Sequence, residues 1–239
     1  MTTVPPSSSA RGVLLVHGAW HTGEGTWRKV AEGLRALGVP AAIAELHRGS
    51  VEADTAAAAE ALAGLAEHGP AVAVGHSYGG HVISGLPVAS LHHLVYLCAI
   101  QPTEDETTLG LMGSTPGTTL MAGIRWSDEA ANLSTIDPEH VKAAFYGHSS
   151  DEVAARHTAE LVSQQMTVGS EPPVAVAWRQ VPSTYIVCGD DQALNPVLQR
   201  RLAERASAVV EWDSDHTPFV SRTGDVVELL AGLAGLDAS

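Results

Sequence analysis

Short, unbroken apolar runs set the rhythm of the first hundred residues. Gly12–Gly18 reads G-V-L-L-V-H-G, Val39–Leu46 reads V-P-A-A-I-A-E-L, Ala71–Val74 reads A-V-A-V, and Leu91–Ile100 reads L-H-H-L-V-Y-L-C-A-I. Runs of this kind are the signature of strands buried on both faces of a parallel sheet. A glycine-rich loop, His17 to Gly25, follows the first run, and Thr26–Leu37 then carries apolar residues at helical spacing. An alanine-rich helix is expected from Asp54 to His68, with Asp54 or Thr55 as its cap and Pro70 beyond its end. Tyr78–Leu86 reads as the next helix. Strand alternating with helix predicts βαβ units.

The rhythm stops after Pro102. From Thr103 to Pro173 no segment reads as a strand; Thr- and Gly-rich turns and short helical patterns such as Asp151–Met166 take over. Alternation then resumes with a strand at Ser183–Cys188, a helix at Asn195–Ala206, a strand at Ala208–Trp212 and a helix at Pro218–Leu236. The expectation is an α/β core built from 11–102 and 174–239, interrupted by a mainly helical lid over 103–173. Residues 1–10, M-T-T-V-P-P-S-S-S-A, are expected to form a flexible leader, since they lack the basic start and apolar stretch of a secretion signal.

Composition narrows the partners. The net charge of −14, from 13 Lys+Arg against 27 Asp+Glu, opposes binding to nucleic acid or to anionic membrane surfaces. No apolar run approaches the roughly 20 residues that cross a bilayer, so a cytoplasmic protein acting on a small molecule is expected. Cys98 and Cys188 sit inside apolar runs and read as core residues, not as a disulfide or metal ligands. No feature of the chain specifies an oligomeric state.

The candidate chemistry begins at Gly75-His76-Ser77-Tyr78-Gly79. A G-x-S-x-G match alone is weak in a chain with 23 glycines, but here a strand runs straight into it and a helix follows. That tight turn strains the serine backbone and exposes its hydroxyl, as a nucleophile requires. A serine hydroxyl needs a base. Of 12 histidines, His216 follows the last predicted strand and precedes the last helix, at the carboxyl end of the sheet where reactive groups gather. His17, His47 and His76 also lie near strand ends, but structural roles suit His17 and His76 better. The acid that orients the imidazole is expected after the preceding strand, at Asp190 or Asp191. Asp213 and Asp215 are too close to His216 in sequence to reach behind its ring. Backbone N–H groups of Ala19 and Tyr78 are the expected donors to an oxyanion.

The segments V-H-G-A-W-H, V-G-H-S-Y-G-G, L-V-Y-L-C-A, Y-I-V-C-G-D-D and D-S-D-H-T-P resemble, in order and spacing, the small-esterase subfamily of α/β-hydrolases. That group includes salicylate-binding plant methylesterases, hydroxynitrile lyases and bacterial esterases. The resemblance runs from Gly12 to about Leu233 and is weak across the lid. It implies a largely parallel sheet flanked by helices, a covering lid, no cofactor or metal, and Asp191 as the acid. A hydroxynitrile lyase would carry threonine after the loop histidine and lysine after the catalytic one; this chain has Gly18 and Thr217. The loop from His21 to Trp27 is longer than the family's, which changes the pocket rim. The implied activity is hydrolysis of a small carboxylic ester through an acyl-enzyme on Ser77. Trp20, His21, Met121, Trp126 and Phe145 are the candidate substrate contacts. The alternatives are a non-hydrolytic enzyme of the same fold using His216 as a base, or a ligand receptor with an idle triad.

Overall fold

The computed structural model describes residues 10–236. In chain order, β1 (Val13–Val16), α1 (Gly23–Ala36), β2 (Ala41–Ala44), α2 (Val51–Ala63), β3 (Ala71–His76), α3 (Gly79–Ser84) and β4 (Leu91–Leu97) form the first half. An insertion follows, with α4 (Thr108–Met112), α5 (Thr119–Gly123), β5 (Ile124–Asp128), β6 (Leu133–Ile136), α6 (Pro138–Phe145), α7 (Asp151–Thr158) and β7 (Gln164–Gln165). The chain then returns through β8 (Ser183–Cys188), α8 (Pro196–Ala203), β9 (Ala208–Trp212), α9 (Pro218–Ser221) and α10 (Thr223–Leu233).

Six strands pair in the order β2-β1-β3-β4-β8-β9, every pairing parallel. The inner strands β1, β3 and β8 are buried along their whole length, which is why their sequences run apolar without alternation. The two faces are still distinct. Val13 and Leu15 of β1 pack into one core with Trp27, Leu34 and Leu230 of α1 and α10. Leu14 and Val16 pack into the other with Leu62, Ile83 and Leu198 of α2, α3 and α8. The strand order reverses at β1, where the chain goes first to β2 and then across to β3. The loops leaving β1 and β3 therefore diverge and open a crevice at their carboxyl ends.

Several local expectations are corrected. The helix assigned to Asp54–His68 begins at Val51, because Ser50 Oγ accepts the Ala53 N–H at 3.1 Å and supplies the cap; Asp54 is buried inside the helix instead. The last helix is two, broken at Arg222. The insertion is not free of strands: β5, β6 and β7 form an antiparallel sheet. Its strands escape notice because β5 is exposed along most of its length and β7 has two residues, so no apolar alternation marks them. Most of the supposed leader lies outside the described residues, but Ala10 is not part of a loose tail: it is buried in the core beside α10. Among the described residues no helix is long and apolar enough to cross a membrane.

Candidate active site

The buried strand β3 ends at His76, and Ser77 turns the chain with φ +53° before α3 begins. That left-handed conformation is costly for a side-chain-bearing residue and persists only where the surroundings enforce it. They do. Ser77 O accepts from the N–H groups of Gly80 at 3.1 Å and Ile100 at 3.0 Å. A Cβ on Gly75 would stand 2.4 Å from Gly79 O, and one on Gly79 would stand 2.6 Å from His17 O, so both positions exclude any side chain.

His216 lies between β9 and α9 and is buried. Its Nδ1 donates to Asp191 Oδ2 at 2.7 Å. The imidazole also packs against Phe145, 5.6 Å between ring centres, and His76, 4.5 Å. Its backbone carbonyl accepts from His76 Nε2 at 2.8 Å and from the Cys98 thiol at 3.3 Å. Ser77 Oγ has no hydrogen-bond partner among the described residues, so the acid–histidine pair is closed while the serine faces open space.

Asp191 is buried just after β8 and accepts four hydrogen bonds. Oδ1 takes the N–H groups of Ala193 at 2.7 Å and Leu194 at 2.8 Å; Oδ2 takes His216 and Gln199 Nε2, the latter at 2.7 Å. Gln199 is a residue that sequence reasoning missed. Fully buried on α8, it also accepts the Cys188 N–H at 2.9 Å and so ties the acid to the end of β8. Its signal was a polar residue on the face that Leu198 and Leu202 bury. Asp190, by contrast, is exposed and meets His148 Nε2 at 3.0 Å. Asp215 turns away to accept from Thr217 N and Ser221 Oγ, each at 3.1 Å.

Ala19 and Tyr78 sit beside Ser77 on the wall of one cavity. Neither backbone N–H donates to a protein acceptor among the described residues. The Ala19 loop is held by the insertion through Trp20, itself at φ +60°. Trp20 N donates to Gln164 Oε1 at 3.4 Å, its indole N–H donates to Ser134 Oγ at 3.1 Å, and its carbonyl accepts Val162 N–H at 2.9 Å.

Of the five expected substrate contacts, Trp20 and Met121 line the cavity; His21, Trp126 and Phe145 do not. His21 is turned into the protein, donating from Nδ1 to Ala19 O at 2.8 Å and accepting from Tyr146 Oη at 3.2 Å. Phe145 is used up in packing on His21 and His216. Trp126 lies on the exposed outer sheet, 54% exposed.

Burial holds His17, His21 and His76 neutral. Loss of solvent lowers His17 to about 3 and His21 to about 4, against the hydrogen bonds each makes to a backbone carbonyl. Burial also drives His76 well below the ordinary imidazole range, and the neighbouring His216 and His21 add to it.

The fold and the site define a class. The family model of the alpha/beta hydrolase family matches residues 13–229, and the chain belongs to that family. The alpha/beta hydrolase nvfD of Aspergillus novofumigatus (strain IBT 16806) is 31% identical over 179 residues, covering 69% of this chain and 70% of that protein. The crystal structure of the pyrethroid hydrolase PytH superposes with a TM-score of 0.80 at 23% identity, covering 94% of this chain and 97% of that one. Polyneuridine aldehyde esterase superposes with a TM-score of 0.81 at 16% identity, covering 94% and 99%. These two likenesses are of fold.

Proposed function

We propose that this protein is a serine hydrolase that cleaves a small carboxylic ester through an acyl-enzyme on Ser77. The observation that carries the reading is the strained Ser77 at the wall of the cavity, with the buried His216–Asp191 pair delivered to the same end of the sheet. In this mechanism His216 takes the Ser77 proton as Oγ bonds to the ester carbon. The carbonyl oxygen gains negative charge and is held by the N–H groups of Ala19 and Tyr78. Collapse of that intermediate breaks the bond to the alcohol oxygen, which leaves with the proton carried by His216. Water, deprotonated by His216, then attacks the acyl carbon, and the acid departs as Ser77 regains its proton. Asp191 fixes the imidazole with its proton on Nδ1 and stabilises the cation that forms in each half. The insertion over 103–173 acts as the lid of the site, supplying Met112, Met121 and Met166 to its wall. The test is turnover of short p-nitrophenyl esters. Ser77→Ala should abolish it while circular dichroism stays unchanged, and equal turnover in both proteins would end the proposal.

A further inference from the structure

The wall of the cavity above Ser77 carries no charged side chain. Apart from Ser77, four of its polar side chains are paired elsewhere and one, Gln165, is not. Tyr78 Oη donates to Asp54 Oδ2 at 2.9 Å, Trp20 Nε1 donates to Ser134, and Thr108 Oγ1 is paired with His81 Nδ1 at 3.0 Å. The Gln164 amide accepts from Trp20 N and donates to Gln165 O at 2.9 Å. The Gln165 side-chain amide, on the same wall, has no hydrogen-bond partner among the described residues; its oxygen lies toward Gly49, 3.9 Å from where a Cβ there would stand. What a ligand can still reach is Ser77 Oγ and the free N–H groups of Ala19 and Tyr78, gathered at the nucleophile, and the Gln165 amide.

The rest of the wall is hydrocarbon and thioether. Of the four methionines in the chain, Met112, Met121 and Met166 all line this one cavity. Methionine is flexible and polarisable, so such a wall adapts to the shape of what it holds. Leu109 and Met121 are 39% and 40% exposed and give the wall an apolar rim. Away from the nucleophile and Gln165 a buried hydroxyl finds no partner, and an ionised group is costlier still. The net charge of −14 adds a general repulsion of carboxylates.

Resting on the reading of Ser77 as nucleophile, we infer that the substrate is an uncharged ester whose only polar group is the ester itself. The groups beyond the carboxyl are hydrocarbon, accepted in varied shapes, and hydroxylated or ionised analogues are disfavoured because, Gln165 apart, the wall offers them no polar partner and no counter-charge. This places the reaction on lipophilic esters and excludes sugar, amino-acid and dicarboxylic acid esters.

The test measures binding separately from chemistry. Ser77→Ala protein is titrated calorimetrically with unbranched methyl esters from butanoate to decanoate, each beside its ω-hydroxy counterpart. Kd should fall about three- to fourfold per added methylene until the cavity is full. Each ω-hydroxy ester should bind at least about tenfold more weakly than its parent. A Kd independent of chain length, or tighter binding of the hydroxy esters, overturns the inference. The same esters are then assayed for hydrolysis by wild-type protein. A rising binding series without hydrolysis would defeat the ester-hydrolase reading and leave the ligand class standing; hydrolysis with a flat binding series would do the reverse.

Discussion

His76 Nε2 donates to the backbone carbonyl of His216 at 2.8 Å, so the residue preceding the nucleophile holds the main chain of the proposed base. The bond requires a proton on Nε2, and because burial keeps the ring neutral, that fixes the tautomer. Replacing His76 by Phe keeps the ring packing against Phe219 and removes the bond. Turnover should fall about tenfold with KM nearly unchanged, as expected for losing roughly 1–1.5 kcal/mol of positioning. Steady-state kinetics on a short ester reads the split.

The two adjacent aspartates should behave in opposite ways. Asp191→Asn keeps the shape but spoils the charge and the imidazole tautomer, and should lower kcat on the order of 10,000-fold. Asp190→Asn disturbs only an exposed contact with His148 and should leave kcat within about twofold, since surface pairs contribute little. Side-by-side kinetics on the two variants checks both.

The insertion and the proposed oxyanion donor Ala19 are mechanically joined at Trp20. Gln164→Leu removes the acceptor for the Trp20 N–H while keeping the apolar bulk. Because the displaced neighbour is Ala19, the loss should appear in kcat, about tenfold, given that deleting an oxyanion donor outright costs roughly 100-fold or more. A change confined to KM would argue against this coupling.

Acid should destabilise the fold before it touches the surface carboxylates. His17, His21, His76 and His81 are buried neutral, with folded values of about 3, about 4, well below normal and about 4. Unfolded, each would protonate near 6.5, so below that pH the unfolded chain binds more protons than the folded one. Stability is therefore full above about pH 6.5 and falls as the pH drops toward 4, by up to about 1.4 kcal/mol per pH unit for each histidine. Urea unfolding midpoints taken between pH 7.5 and 4.5 should decrease steadily.

Gly79→Ala should be among the most damaging single changes. The new Cβ would stand 2.6 Å from two backbone carbonyl oxygens, His17 O and Val16 O, neither of which can yield without moving β1. A loss of at least about 3 kcal/mol is expected, together with collapse of activity. Thermal unfolding and an ester assay read the two effects.

How much of this was legible in the sequence depended on whether the feature was local. The buried parallel strands announced themselves because both faces are covered, and Ser77 was readable because strand, turn and helix are contiguous around it. Asp191 and His216 followed from chain order, but choosing Asp191 over Asp190 needed the family resemblance. The structure puts the difference in a neighbour: Gln199, eight residues further on, anchors one carboxylate and not the other. The insertion over 103–173 was the least legible part. The strands β5 to β7 are short and mostly polar, and nothing in the order of residues says that Trp126 faces out while Met166 faces the cavity. His21 and Phe145 were mistaken for substrate contacts for the same reason, since only tertiary packing turns them inward.

The most direct measurement is covalent trapping. Wild-type protein is treated with a fluorophosphonate, digested, and the modified peptide located by mass spectrometry. Stoichiometric labelling of Ser77, absent in Ser77→Ala and slowed at least about 100-fold in His216→Ala, is the predicted result. An unlabelled Ser77 in folded wild-type protein would contradict its role as an activated nucleophile.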